Sequence, residues 1–121
     1  MNRFQQFKKS FAHAARGLTY VVKHEKNFQT ELVAALLVIL AILWFEVTRA
    51  EMVVLLLVIA GVLVMELFNT VVERVVDILK PRVHPYARLI KDLMAASVLV
   101  ASILALLVGI LIFFPYIAEM F

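Results

Sequence analysis

Across residues 93–118 no side chain carries a charge. Two shorter stretches share that property, 32–45 (LVAALLVILAILWF) and 52–65 (MVVLLLVIAGVLVM). A bilayer core takes about 20 apolar residues per helix, and backbone polar groups in hydrocarbon must be satisfied within the segment. The third run meets that length alone. The first two meet it once their helices continue past the apolar stretch, through Glu31 at one end or Glu66 at the other. A soluble domain of 121 residues, 64% of them hydrophobic, would have too little polar side chain for its surface. The chain is therefore expected to be an all-α integral membrane protein with three transmembrane helices, near residues 29–48, 51–79 and 86–116.

Charge placement sets the expected orientation. Arg3, Lys8, Lys9, Arg16, Lys23 and Lys26 precede the first span, and Arg74, Lys80, Arg82, Arg88 and Lys91 lie between the second and third. Only Arg49 falls in the short turn at 46–51, and no Lys or Arg follows the third run. By the positive-inside rule the N-terminus and the 74–91 segment are cytoplasmic and the C-terminus external. The net charge of +3 thus reflects topology and anionic lipid, not nucleic acid. The first thirty residues lack the central apolar block of a signal peptide. Without cysteine there are neither disulfides nor thiolate metal sites.

Phe4, Phe7, Phe11, Ala14, Ala15 and Leu18 recur at three- and four-residue steps, with Lys8, Lys9 and Arg16 on other faces. This predicts an N-terminal amphipathic surface helix over 1–28. Pro81 is expected to end the second helix, leaving KPRVHP (80–85) as a cytoplasmic loop before a new helix from about Tyr86. No repeat or second domain is visible.

At the end of the second apolar run the sequence reads MELFNTVVERVVD (65–77). At 100° per residue, Glu66, Asn69, Glu73 and Asp77 fall at relative angles of about 0°, −60°, −20° and +20°. All four share one helix face, with Leu67, Val71, Val75 and Ile78 opposite. A carboxylate in hydrocarbon costs at least about 2.5–3.5 kcal/mol, so Glu66 needs an offsetting partner. Stacked acids repel one another and are poor helix glue unless a cation or a proton sits among them. Glu25 and Glu31 flank the start of the first span, and Asp92, beside Lys91, marks the start of the third. Oxygen ligands without Cys or paired His suit Mg²⁺ with phosphates. Acids for Mg²⁺, a lysine for phosphate charge and one further carboxylate to deprotonate an alcohol are the parts that phosphoryl transfer requires. There is no GxxxxGK[ST], and three glycines (Gly17, Gly61, Gly109) cannot make a glycine-rich phosphate loop. Three thin helices would enclose a nucleotide only by sharing the site between subunits.

The segment ELFNTVVERVVD (66–77), with His84-Pro85, Lys91-Asp92 and the AASVLVAS that begins at Ala95, resembles the prokaryotic diacylglycerol kinase family. That family's pattern, approximately E-x-x-N-T/S-x-[IV]-E-x-x-[VI]-D, is matched at Glu66, Asn69, Thr70, Val72, Glu73, Val76 and Asp77. The HP before KD, and Glu25, Asn27 and Phe28, resemble the Gram-positive branch whose members act as undecaprenol kinases. The resemblance implies a homotrimer in the bacterial plasma membrane. It implies transfer of the γ-phosphoryl group of MgATP to a lipid alcohol, undecaprenol, with diacylglycerol as the alternative. By matching positions, Glu66 is the expected base, Glu25 and Glu73 the Mg²⁺ ligands, and Asn69 and Asp77 supporting residues. Lys91 and Asp92 are expected at the nucleotide, with Arg82, Val83 and His84 on its adenine or ribose side. The family's N-terminal arginine falls at Gln6 here.

Two non-enzymatic readings compete: a proton or cation conduit through Glu66, and a membrane scaffold. The apolar 52–65 run denies a conduit its outer half, and a scaffold leaves the gathered acids unexplained. Trp44 and the Phe113-Phe114-Pro115-Tyr116 end read as interface anchors. Glu46, Arg49 and Glu51 read as a solvated outer turn. Ser97 and Ser102, with Ala95, Ala96, Ala101 and Ala105, read as a small-residue packing stripe.

Overall fold

The computed structural model describes residues 1–121, the side chain of Val83 excepted. Three helices follow one another: α1 (Arg3–His24), α2 (Lys26–Phe45) and α3 (Arg49–Ala118). No strand is present among the described residues. Helix α1 opens with a reciprocal cap. The Gln5 backbone N–H donates to Asn2 Oδ1 at 2.8 Å, and the Asn2 N–H donates to Gln5 Oε1 at 3.2 Å.

The expected helix over 1–28 stops short, because Glu25 is extended (φ −106°, ψ 108°) and separates α1 from α2. Gln29 stabilises that break: its side-chain amide donates to the last-turn carbonyls of Val22 (2.8 Å) and Lys23 (3.4 Å), which would otherwise lack partners.

At the other end of α2 the chain turns through Glu46, Val47 and Thr48. Glu46 is left-handed (φ 50°, ψ 52°), where an L-residue crowds its own carbonyl. Glycine has no such clash, so Glu46→Gly should stabilise the fold by about 1 kcal/mol, read as a higher unfolding midpoint in mixed micelles. Thr48 then caps α3, with Glu51 reciprocating: the Glu51 N–H donates to Thr48 Oγ1 at 3.2 Å and the Thr48 N–H to Glu51 Oε1 at 3.0 Å. Glu51 also accepts a hydrogen bond from the Tyr116 hydroxyl. It therefore ties two helix ends together, where the sequence predicts only a solvated turn.

Helix α3 is helical throughout, including Pro81, Pro85 and Pro115. A straight helix would separate Asp77 from Lys91 by about 21 Å at 1.5 Å per residue. Their side chains are 2.6 Å apart, so α3 doubles back between them. Each proline there removes an i→i−4 hydrogen bond and crowds the carbonyl four residues earlier, which allows the bend. The expected loop at 80–85 is thus a reversal made in helical backbone. The result is a first limb (Arg49–Arg82) and a second limb (His84–Ala118), both long and apolar enough to cross a membrane, as is α2.

Among the described residues, eight of the eleven buried ones fall on two seven-residue ladders: Val21, Phe28, Ala35 and Ile42 along α1 and α2, and Leu55, Val62, Asn69 and Val76 along α3, with Glu66, Thr70 and Ala87 off them. A seven-residue repeat keeps a narrow seam facing a neighbouring helix. Most other large apolar side chains are exposed.

Candidate functional site

The seam places polar groups where the first limb of α3 meets α2. Glu66, Asn69 and Thr70 are 5%, 8% and 8% exposed, the buried polar or charged residues among those described. Thr70 is satisfied locally, its hydroxyl donating to the Glu66 carbonyl at 3.1 Å. Asn69 occupies a ladder position that Leu55, Val62 and Val76 fill with hydrocarbon. Its amide Nδ2 donates to Glu73 Oε1 at 3.4 Å. Its Oδ1 is buried without a hydrogen-bond partner among the described residues. An acceptor left in that state costs about 1–3 kcal/mol, a cost that a ligand's donor or a cation would remove.

Asn69 faces a cleft of about 360 Å³, which Glu31, Glu66, Glu73, Asn27, Thr30 and Ser102 line with a few apolar side chains. Three carboxylates border it and, among the described residues, no Lys, Arg or His does. Like charges around one low-dielectric space call for a cation or a proton. Glu66, Asn69 and Glu73, read from one helix face in the sequence, are thus brought together. Asn27, Thr30 and Ser102 were not expected at this site. Ser102 had read as packing, and the cross-helix approach that brings it here leaves no mark in local spacing.

Toward the α1 end the acids are paired. The Glu25 carboxylate accepts from the Arg74 guanidinium, which also donates to the Tyr20 hydroxyl at 3.3 Å. Lys91 reaches Asp77 from the second limb at 2.6 Å. Arg82, His84 and Asp92 are exposed and make no side-chain hydrogen bond or ion pair among the described residues. Val83, part of the same expected nucleotide loop, has a side chain outside those described.

Among the described residues no three His, Asp or Glu groups converge as a ready metal centre. The donors on the cleft are nonetheless all oxygen, and one of them, Asn69 Oδ1, is orphaned. That set fits Mg²⁺, which uses one or two carboxylates and takes its remaining ligands from water and phosphate.

A second, apolar cavity of about 520 Å³ shares Glu31 and Ser102 with the acidic cleft. It runs along Ala34, Val38, Ala105 and Gly109 to Phe113 and Ile117. Acidic chemistry at one end thus adjoins room for hydrocarbon at the other.

The family model described as prokaryotic diacylglycerol kinase matches residues 12–113. An undecaprenol kinase of Bacillus subtilis (strain 168) is 36% identical over 114 residues, covering 94% of this chain and 93% of that protein. A diacylglycerol kinase of Synechocystis is 34% identical over 101 residues, 83% of this chain and 58% of that protein. A diacylglycerol kinase of Escherichia coli (strain K12) is 30% identical over 104 residues, 86% of this chain and 85% of that protein. With the match over residues 12–113 taking in the acidic face of the first limb and most of the second, the chain belongs to the prokaryotic diacylglycerol kinase family.

Proposed function

We propose that this protein is an ATP-dependent lipid kinase of the bacterial plasma membrane, and that its acceptor is undecaprenol. The observation that carries the reading is the buried Glu66 on a cleft with three carboxylates and, among the described residues, no Lys, Arg or His, adjoining an apolar cavity. A lipid alcohol lying along that cavity would bring its hydroxyl to Glu66. The Glu66 carboxylate takes the hydroxyl proton as the oxygen bonds to the γ-phosphorus and the bond to ADP breaks. Glu25 and Glu73 would hold Mg²⁺, which neutralises charge on the phosphates. Asn69, through its hydrogen bond to Glu73, fixes that carboxylate and offers Oδ1 to the incoming donor. Asp77 keeps the Lys91 ammonium at the α1 end, where it can turn to phosphate. Asp92, Arg82 and His84 complete the nucleotide side.

The basic residues at both segments flanking that end favour a cytoplasmic N-terminus and reversal, with the C-terminus external. In that orientation α1, with Phe4, Phe7 and Phe11 exposed, lies at the membrane surface. The exposed second limb is available to further copies, and a homotrimer with shared sites would close the cleft that one thin subunit leaves open.

The conduit reading loses support from the second cavity, which past Glu31 and Ser102 is lined by apolar side chains alone. Diacylglycerol is the second acceptor to consider, because two of the relatives carry that name. The two separate in one assay, transfer of label from γ-labelled ATP with Mg²⁺ to undecaprenol and diacylglycerol offered together in mixed micelles. Label on undecaprenol is the expected result. Label mainly on diacylglycerol would reassign the acceptor, and label on neither would remove the kinase reading.

A further inference from the structure

We infer that Arg74 exchanges partners during nucleotide binding: its guanidinium holds the Glu25 carboxylate, then yields it to the divalent cation and turns to phosphate. This rests on the reading of Glu25 as a metal ligand.

Glu25 stands at the N-cap position of α2, where a short Asp, Asn, Ser or Thr side chain ordinarily accepts from the helix's first free N–H groups. It makes no such cap bond. Its carboxylate turns across to the first limb of α3 and meets Arg74, 49 residues away. Arg74 is gripped a second time by the Tyr20 hydroxyl near the end of α1. One guanidinium thus joins α1, the α1–α2 break and α3 at a single point, beside Glu73. A residue serving only that structural purpose would suit a buried pair. This pair is open, with Arg74 49% and Glu25 20% exposed at the side chain. Ion pairs open to water are held weakly, so a divalent cation carrying phosphates can displace the guanidinium. Once displaced, Arg74 retains a full charge near Glu73, and its planar fork matches a phosphate edge in two parallel hydrogen bonds. The positive charge that opposes the cation while paired with Glu25 then favours the bound nucleotide. The Tyr20 hydroxyl steadies the guanidinium against Glu25.

The test starts without nucleotide. Mn²⁺ is titrated into the full-length protein in detergent micelles, with free Mn²⁺ read by electron paramagnetic resonance. Arg74→Gln is expected to bind Mn²⁺ about three- to fivefold more tightly than the wild type, the range an open ion pair supports. Tyr20→Phe should shift affinity the same way by less. In the Glu25→Gln background the gain should vanish. In lipid phosphorylation Arg74→Gln should then raise the KM for MgATP about tenfold, with part of the loss recovered in Arg74→Lys. An unchanged Mn²⁺ affinity in Arg74→Gln overturns the inference. So does a gain that persists with Glu25→Gln, which would be general charge removal, and so does an unchanged KM. Absence of lipid phosphorylation in the wild type would remove the kinase reading instead, and the Mn²⁺ titration is read without it.

Discussion

Glu66→Gln is expected to lower lipid phosphorylation by about 10³-fold, within the 10²–10⁴ that a positioned general base contributes. The substitution keeps the shape of a buried side chain and removes only its ability to accept a proton. The protein should also become more stable, by roughly 1 kcal/mol or more, because a charge no longer has to be held in a low-dielectric space. Loss of activity with a gain in stability marks a residue kept for chemistry. If Glu66 served to fix helix register, the substitution would leave activity near wild type, and the base would have to be sought elsewhere. Both quantities come from one preparation, by label transfer and by unfolding in mixed micelles.

Glu73→Gln should behave differently. Glu73 borders the cleft about two turns from Glu66 by its register and accepts from the Asn69 amide. As a metal ligand it affects how much Mg²⁺ the enzyme needs. The half-saturating Mg²⁺ concentration is expected to rise about 10–100-fold, with part of the activity returning at high Mg²⁺. The Glu66 variant should show no such recovery. If the Mg²⁺ dependence of Glu73→Gln matched the wild type, its place as a ligand would be lost, and the carboxylate would be a support for Asn69 alone.

The contrast between the two residues follows from a helix face that was legible in the sequence. Glu66, Asn69 and Glu73 share a stripe by the 3.6-residue period, and apolar run lengths give three helical segments long enough to cross a membrane. The ladders at Val21, Phe28, Ala35 and Ile42 and at Leu55, Val62, Asn69 and Val76 were also within reach, since a seven-residue spacing can be counted. They would have marked Asn69 as a polar residue in an apolar seam. The pairing of Arg74 with Glu25 was not legible. It depends on a side chain crossing between helices, and no local period encodes a contact over 49 residues. Arg74 had entered only as one more positive charge for topology. The reversal within α3 was half legible. Pro81 and Pro85 mark the place, but whether such a pair makes a loop or a bend in helical backbone depends on packing that the Asp77–Lys91 contact reports. Glu51 was misread for the same reason, since Tyr116, its partner, lies on the far limb.

The most direct measurement is a crystal structure of the protein with Mn²⁺, a non-hydrolysable ATP analogue and undecaprenol, with the metal located by its anomalous scattering. Mn²⁺ is expected between Glu25 and Glu73, with Arg74 turned from Glu25 to phosphate and the lipid hydroxyl about 2.6–3.2 Å from Glu66. A metal bound away from both carboxylates, or a Glu66 that faces only neighbouring helices with the hydroxyl elsewhere, would contradict that placement.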